Sequence, residues 1–215
     1  MEITWYGHSC FRMMERGVAS IVADPFDESI GYEIPPRLRA DIVTVSHDSP
    51  GHNALDSVKY EAYALTRPGE YEIGGVFITG VATHSHGLDE QVRRNIVFVY
   101  DFGTIIACHL GDIDHVPTQS QIELLGPIDV LMVPVGGGGG LNSAQAAEVI
   151  SLIEPSVVIP MHYQTPACKL ELDSLDKFLK EMGVTEPVVT DSLKVTASNL
   201  TEEETQVVVL EYEHA

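Results

Sequence analysis

Basic residues are scarce in this chain: 12 Lys and Arg stand against 32 Asp and Glu, for a formal net charge of −20. Phosphate backbones and anionic lipid surfaces are met by Lys and Arg, and beyond Arg93-Arg94 the few present are scattered. No nucleic-acid partner and no membrane-surface partner is therefore expected. Long apolar runs are missing too, and without eighteen consecutive apolar residues no helical membrane span is expected. The opening MEITWYGHSC has no basic stretch leading into an apolar one, so no secretory signal is expected and the cytoplasm is the expected compartment. Cysteine is sparse. Cys10, Cys108 and Cys168 are odd in number and far apart, forming neither a disulfide framework nor a C-x-x-C pair. They read as small core residues of a reducing compartment.

What is present is hydrophobic content of 44% over 215 residues, enough for a substantial core and most simply one domain spanning 1–215. The first half reads almost entirely as strand. Glu2–Tyr6 and Cys10–Met14 form a hairpin around Gly7-His8-Ser9, and Val18–Val22 leads to Ala23-Asp24. Residues 27–40 read as an exposed loop, and Ile42–Val45 as a short buried strand. Strands follow at Tyr60–Thr66, Tyr71–Ile73, Val76–Thr83, Asn95–Tyr100 and Thr104–Cys108, with Gly87–Arg94 a polar loop. After Asp112 the texture alternates: helices over Pro117–Leu125, Ala144–Ile153 and Leu172–Met182, with strands at Ile128–Val133, Val157–Pro160, Leu193–Thr196 and Gln206–Tyr212. Strands first, then strand and helix in turn, predict two sheets with helices packed outside.

Imidazoles recur where apolar strands stop. Val45 runs into a loop carrying His47 and His52, Ile78–Ala82 leads to His84, Ile105–Cys108 to His109 and Asp112, and Val157–Pro160 to His162. A rigid sheet edge presenting His and Asp from several strands suits a divalent ion, because pairing fixes each backbone before the metal arrives. A lone His is usually a surface or hydrogen-bonded core residue; four at strand ends make a metal site the leading hypothesis. Gly136–Gly140 before a capped helix could cradle an anion through bare N–H groups, although no Lys is near. It reads as a flexible rim. His115 and His214 have no supporting context and read as surface residues.

Six pieces in order carry a family resemblance: Trp5-Tyr6-Gly7-His8-Ser9-Cys10, Ala23-Asp24-Pro25-Phe26, Val45-Ser46-His47, Pro68–Ile73, His109-Leu110-Gly111-Asp112 and Val158–Tyr163. The chain resembles the metallo-β-lactamase superfamily, and within it the ascorbate-6-phosphate-lactonase-like branch of small hydrolases. The resemblance implies an α+β fold, an αββα four-layer sandwich of two mixed sheets with outer helices. It also implies His47, His52, His84, Asp112 and His162 as metal ligands, with Asp24 orienting them from behind. The family's first motif, H-x-H-x-D-H, is degenerate here: Ser49 and Gly51 stand at the second His and the Asp. Two full metals beside one shared carboxylate would repel with little compensation, so one ion is expected, zinc first, with manganese or iron as alternatives. His109 is expected to pack or hydrogen-bond beside the site, as is Ser49. His8 is a candidate replacement ligand or proton carrier, and His86 likewise; Asp48 is a loop acid that could swing in.

The expected activity is metal-dependent hydrolysis of a small ester, lactone, amide or phosphodiester, with Asp112 orienting water and His8 or His86 protonating the leaving group. The competing expectation is an eroded site on a retained fold, serving as a binding or regulatory module. A third is redox chemistry at one iron. Oligomeric state is not legible in the sequence.

Overall fold

The computed structural model describes residues 1–59, 62–86, 92–200 and 204–213, with backbone alone at 84–86 and 92–93. Two mixed β-sheets face each other, accompanied by three helices, which is the expected α+β sandwich. The first sheet has six strands. β1 (Glu2–Gly7) and β2 (Cys10–Met14) form the hairpin, β3 (Ile21–Ala23), β4 (Ile42–Thr44) and β5 (Tyr63–Leu65) follow in parallel, and β13 (Ser192–Lys194) closes the far edge.

The second sheet has eight. β6 (Gly69–Ile73), β7 (Val76–His86), β8 (Val92–Asp101) and β9 (Ile106–His109) run as an antiparallel meander. β10 (Val130–Pro134), β11 (Val157–Met161) and β14 (Gln206–Leu210) then continue parallel to β9, and β12 (Val188–Thr190) pairs outside β14. β10 and β11 are buried at every residue, as parallel strands covered on both faces should be. Pro160 is tolerated inside β11 because pairing with β14 stops at Val158, so one flank needs no donor there.

Helix α1 (Gln119–Leu125) packs on β7, α2 (Ser143–Ile153) on β10, and α3 (Leu175–Glu181) on α2. Thr118 and Asn142 cap the first two with reciprocal capping boxes closed by Gln121 and Gln145. Two helices begin a little later than the periodicity predicts, α1 at Gln119 and α3 at Leu175 rather than Leu172, the latter since Asp173 is drawn into backbone bonds with Gly136 and Gln164. β12 is a strand the sequence did not reveal, three residues with two exposed valines at the sheet edge. The strand expected at Val18–Val22 pairs only from Ile21, and the one at Tyr60–Thr66 only over 63–65, with 60 and 61 outside the described residues. Of the polar loop expected at Gly87–Arg94, 92–94 belong to β8 and 87–91 lie outside the described residues.

The main core lies between the sheets, where Trp5, Phe11 and Ile42 meet Phe98, Tyr100 and Val133. One polar bond crosses that layer, between Thr44 Oγ1 and Tyr100 Oη at 2.7 Å, which satisfies both buried hydroxyls. Topology then decides where chemistry can gather. β1, β3 and β4 share a direction within the first sheet, as β7, β9, β10 and β11 do within the second. Residues just beyond β1, β3, β4, β9 and β11 therefore include His8, Asp24, His47, Asp112 and His162, each at the carboxyl edge of its sheet. Among the described residues, no helix is long and apolar enough to cross a membrane.

Candidate metal centre

Three of the four non-glycine residues with positive φ among the described residues are His8 (51°), Asp24 (45°) and His162 (52°). Each sits directly after a strand, where the chain must turn sharply, and such backbone strain gathers at functional sites. The fourth, Glu154, is a helix C-cap.

Asp24 is 1% exposed and fully engaged. Oδ1 accepts the Ser46 N–H at 2.7 Å; Oδ2 accepts the Ser46 hydroxyl at 2.6 Å and the His52 Nδ1–H at 2.7 Å. Burial alone would raise its pKa, yet the His52 charge and hydrogen bond, with help from His109 and Ser46, hold the carboxyl below its ordinary value. The consequence for the ligating rings is tautomeric. A carboxylate only accepts, so His52 carries its proton on Nδ1 and its Nε2 is left facing away. Ser46 gives its hydroxyl hydrogen to Asp24, so the 3.1 Å contact with His47 Nδ1 is a bond that His47 donates. Its Nε2 is left free in the same way.

Ligand atoms of His47, His52 and Asp112 all lie within 4.8 Å of one another. Asp112 is delivered by a loop fixed from below: Asn95 Oδ1 accepts the Asp112 N–H at 2.9 Å, while Asn95 Nδ2 donates to Leu110 O and Thr83 Oγ1. Gly111 (φ 62°) is required there, because a Cβ would lie 2.3 Å from Asn95 Oδ1 and 2.5 Å from Ser46 Cβ. Burial works to raise the Asp112 pKa, but His162, His52 and His47 outweigh it, so the carboxyl stays ionised far below the usual range.

His162 Nδ1 comes within 2.6 Å of Asp112 Oδ1, yet both atoms are buried and neither has a hydrogen-bond partner. The distance is short, but the angles are not those of a donated proton, and the two electron-pair donors are aimed at shared space. Gly140 stands over that space. A Cβ on it would lie 2.4 Å from Asp112 Oδ1 and 3.2 Å from His162 Nδ1. Orphaned donor atoms, a bare glycine above them and rings fixed with a nitrogen left free suit a divalent cation.

His109 is fully buried and fully used: Nδ1 accepts the Gly111 N–H at 3.1 Å and Nε2–H donates to Ser9 O at 2.8 Å. It braces the Asp112 loop. Ser49 works through its backbone, its N–H donating to His47 O and its carbonyl accepting from the His52 and Asn53 amides. Asp48 is exposed and held by Asn53 Nδ2, so it points to the loop exterior. His84 pairs with Arg94 through the backbone of β7, at the carboxyl edge, and His86 ends that strand; their side chains, and all of His214, lie outside the described residues. His115 pairs with Asp114 away from the cluster. Gly136–Gly140 departs from the flexible cradle its composition suggests. The amides of Gly136, Gly137 and Gly140 already donate to His162, Leu141 and Gly137 carbonyls, and the glycines permit close packing instead. Ser46 and Asn95 had no role assigned from sequence, and Gly140 was read only as part of a flexible rim. Only Gly140, inside a glycine run, carried a visible signal.

Residues 2–162 match the family described as a Beta-lactamase superfamily domain. A solved Thermotoga maritima structure, a candidate Zn-dependent hydrolase of the metallo-β-lactamase superfamily, is 40% identical, covers 97% of each chain and superposes with a TM-score of 0.79. A UPF0173 metal-dependent hydrolase of Thermoplasma acidophilum is 26% identical, over 77% of this chain and 84% of its own. Another from Archaeoglobus fulgidus is 26% identical, over 88% and 95%.

Proposed function

We propose, from the premise that this chain belongs to the metallo-β-lactamase superfamily, that it is a metal-dependent hydrolase working with one divalent ion. The observation that carries this is the convergence of His47, His52 and Asp112 within 4.8 Å, with the unpartnered His162 Nδ1 beside Asp112. His47, His52, Asp112 and His162 would hold the ion, with His84 added from the end of β7. A bound ion of this kind supplies Lewis acidity and a water of lowered pKa. Zinc suits the nitrogen-rich donor set best, and manganese or iron would also be accepted.

The protein's own part is positioning. Asp24 and Ser46 hold the imidazoles of His52 and His47 in the useful tautomer, and Asn95 aims Asp112, whose ionised carboxylate orients the attacking water by accepting its hydrogen. Of the two histidines expected to protonate a leaving group, His8 is 2% exposed. Burial, together with His162 and His52, holds it well below its ordinary pKa, so it is a neutral ring at pH 7 and a poor acid. That role falls to His86. A cleft of about 1020 Å³ opens beside the loop that follows His52, lined in part by Phe26, Tyr32, Asn53, Asp56 and Lys169. With Asp27, Glu28 and Glu33 also on its wall, it disfavours a polyanion, which leaves a small ester, lactone, amide or phosphodiester as the substrate class. The site needs no nucleic acid or membrane, and we place the protein in the cytoplasm as one domain.

A non-catalytic binding or regulatory module on the same fold is favoured by one observation, that Ser49 and Gly51 offer neither imidazole nor carboxylate. Metal analysis separates the two. Purified protein should hold about one equivalent of divalent metal, as a single-ion site does, and His162→Ala should lose it. Protein that holds none and gains no thermal stability from zinc or manganese leaves only the module.

A further inference from the structure

We infer that His8, on the turn between β1 and β2, supplies a metal-binding imidazole in the space that the side-chain-less position 51 leaves open. This rests on the single-ion site proposed above and extends its donor set to a part of the chain far from the His47–His52 loop.

Space is the first observation. A Cβ built on Gly51 would lie 2.8 Å from His8 Nε2 and 3.2 Å from His8 Cδ2, so the ring fills the volume any side chain at 51 would need. The second is an unmet bond. His8 is 2% exposed, and its buried Nδ1 has no hydrogen-bond partner. An orphaned buried polar atom is destabilising, and a cation is what would satisfy this one among neighbours that are themselves electron-pair donors. Its ring packs edge-on against His162 at 4.4 Å and His52 at 5.0 Å between centroids.

The third is how firmly the turn is held. The His8 carbonyl accepts both the His162 N–H and the Trp5 indole N–H at 3.1 Å, which ties the β1–β2 turn to the segment carrying His162. A histidine at φ 51° persists only when its surroundings fix it. His109 shows what a merely structural imidazole looks like in this environment: equally buried, with both nitrogens bonded to backbone.

Cobalt(II) titration tests the assignment, read by equilibrium dialysis and by visible absorption, which reports ligand number and type. His8→Asn is the main variant, since Asn tolerates a positive φ and removes the imidazole. It should bind cobalt at least about 10-fold more weakly, the smallest loss that removing even an outer-shell partner causes, and with an altered absorption band. Gly51→Asp alone should fold less stably, because its Cβ meets His8. His8→Ala combined with Gly51→Asp should recover cobalt affinity by returning a donor to the same space, and that rescue guards against a simple folding defect. Parent-like affinity and spectrum in His8→Asn overturn this inference and leave the hydrolase proposal standing. A parent protein that binds no cobalt overturns both.

Discussion

The two halves of the histidine cluster are equally buried and differently satisfied. On the Asp24 side, Asp24, Ser46, His52 and His109 form a closed set of hydrogen bonds. On the Gly140 side, Asp112 Oδ1, His162 Nδ1 and His8 Nδ1 are buried with no bond at all. The first half is bonded within the protein except at His52 Nε2, which it holds ready for the ion; the second is complete only with a guest. Burial of a histidine therefore says little about its role, and the state of its two nitrogens says much.

Breaking the closed half should have the largest effect on stability. Asp24→Ala strands the His52 Nδ1–H and two Ser46 donors, and should lower unfolding free energy by about 3–5 kcal/mol, as loss of one member of a buried pair does. Denaturant titration checks this. Next comes the base of the His8 turn. Tyr6 is pushed up to about 12 by burial and the nearby Glu213. Its folded pKa exceeds the unfolded value near 10, so its contribution is whole below pH 10 and is lost as pH rises towards 12. At about 1.4 kcal/mol per unit, the loss should reach about 3 kcal/mol. Melts across that window should show it together with the losses from Tyr32, Tyr100 and Tyr163, which burial also raises, and Tyr6→Phe should remove its share of the slope.

The open half should be sensitive in another way. Gly140→Ala forces a methyl towards Asp112 and His162, and should destabilise by about 1–3 kcal/mol as overpacking does. More tellingly, it should abolish the thermal stabilisation that added zinc gives the parent. Asp24→Ala would weaken both properties, whereas Gly140→Ala should separate them. His115→Ala, outside both halves, should shift stability by no more than about 0.5 kcal/mol and leave metal content unchanged. A large effect there would erase the contrast on which the site is drawn.

Much of the frame was legible in the sequence because apolar runs and their stops are local. VLMVP and VVIPM read as buried strands and are buried at every position. The Thr118 and Asn142 caps announce α1 and α2. Short edge pieces such as β12 were not legible, since three residues carry no period. In the site, His47, His52 and Asp112 were visible as strand-end donors, and the structure brings them together. Ser46 and Asn95 were invisible, as a serine and an asparagine acquire their roles only from the Asp24 and Asp112 groups that fold against them. The glycine run was visible and its work was not. Composition suggested a flexible rim, and packing uses Gly136 and Gly140 to admit backbone and carboxylate at close range.

Pattern along the chain determined which residues end strands and which of these carry electron-pair donors, because hydrophobic period and chain breaks are properties of neighbours in sequence. Only the tertiary structure decided which donors remain without a proton to share. That depends on partners from other strands, as Asp24 takes up the Nδ1 hydrogen of His52 while the Nδ1 atoms of His8 and His162 are left without a hydrogen-bond partner.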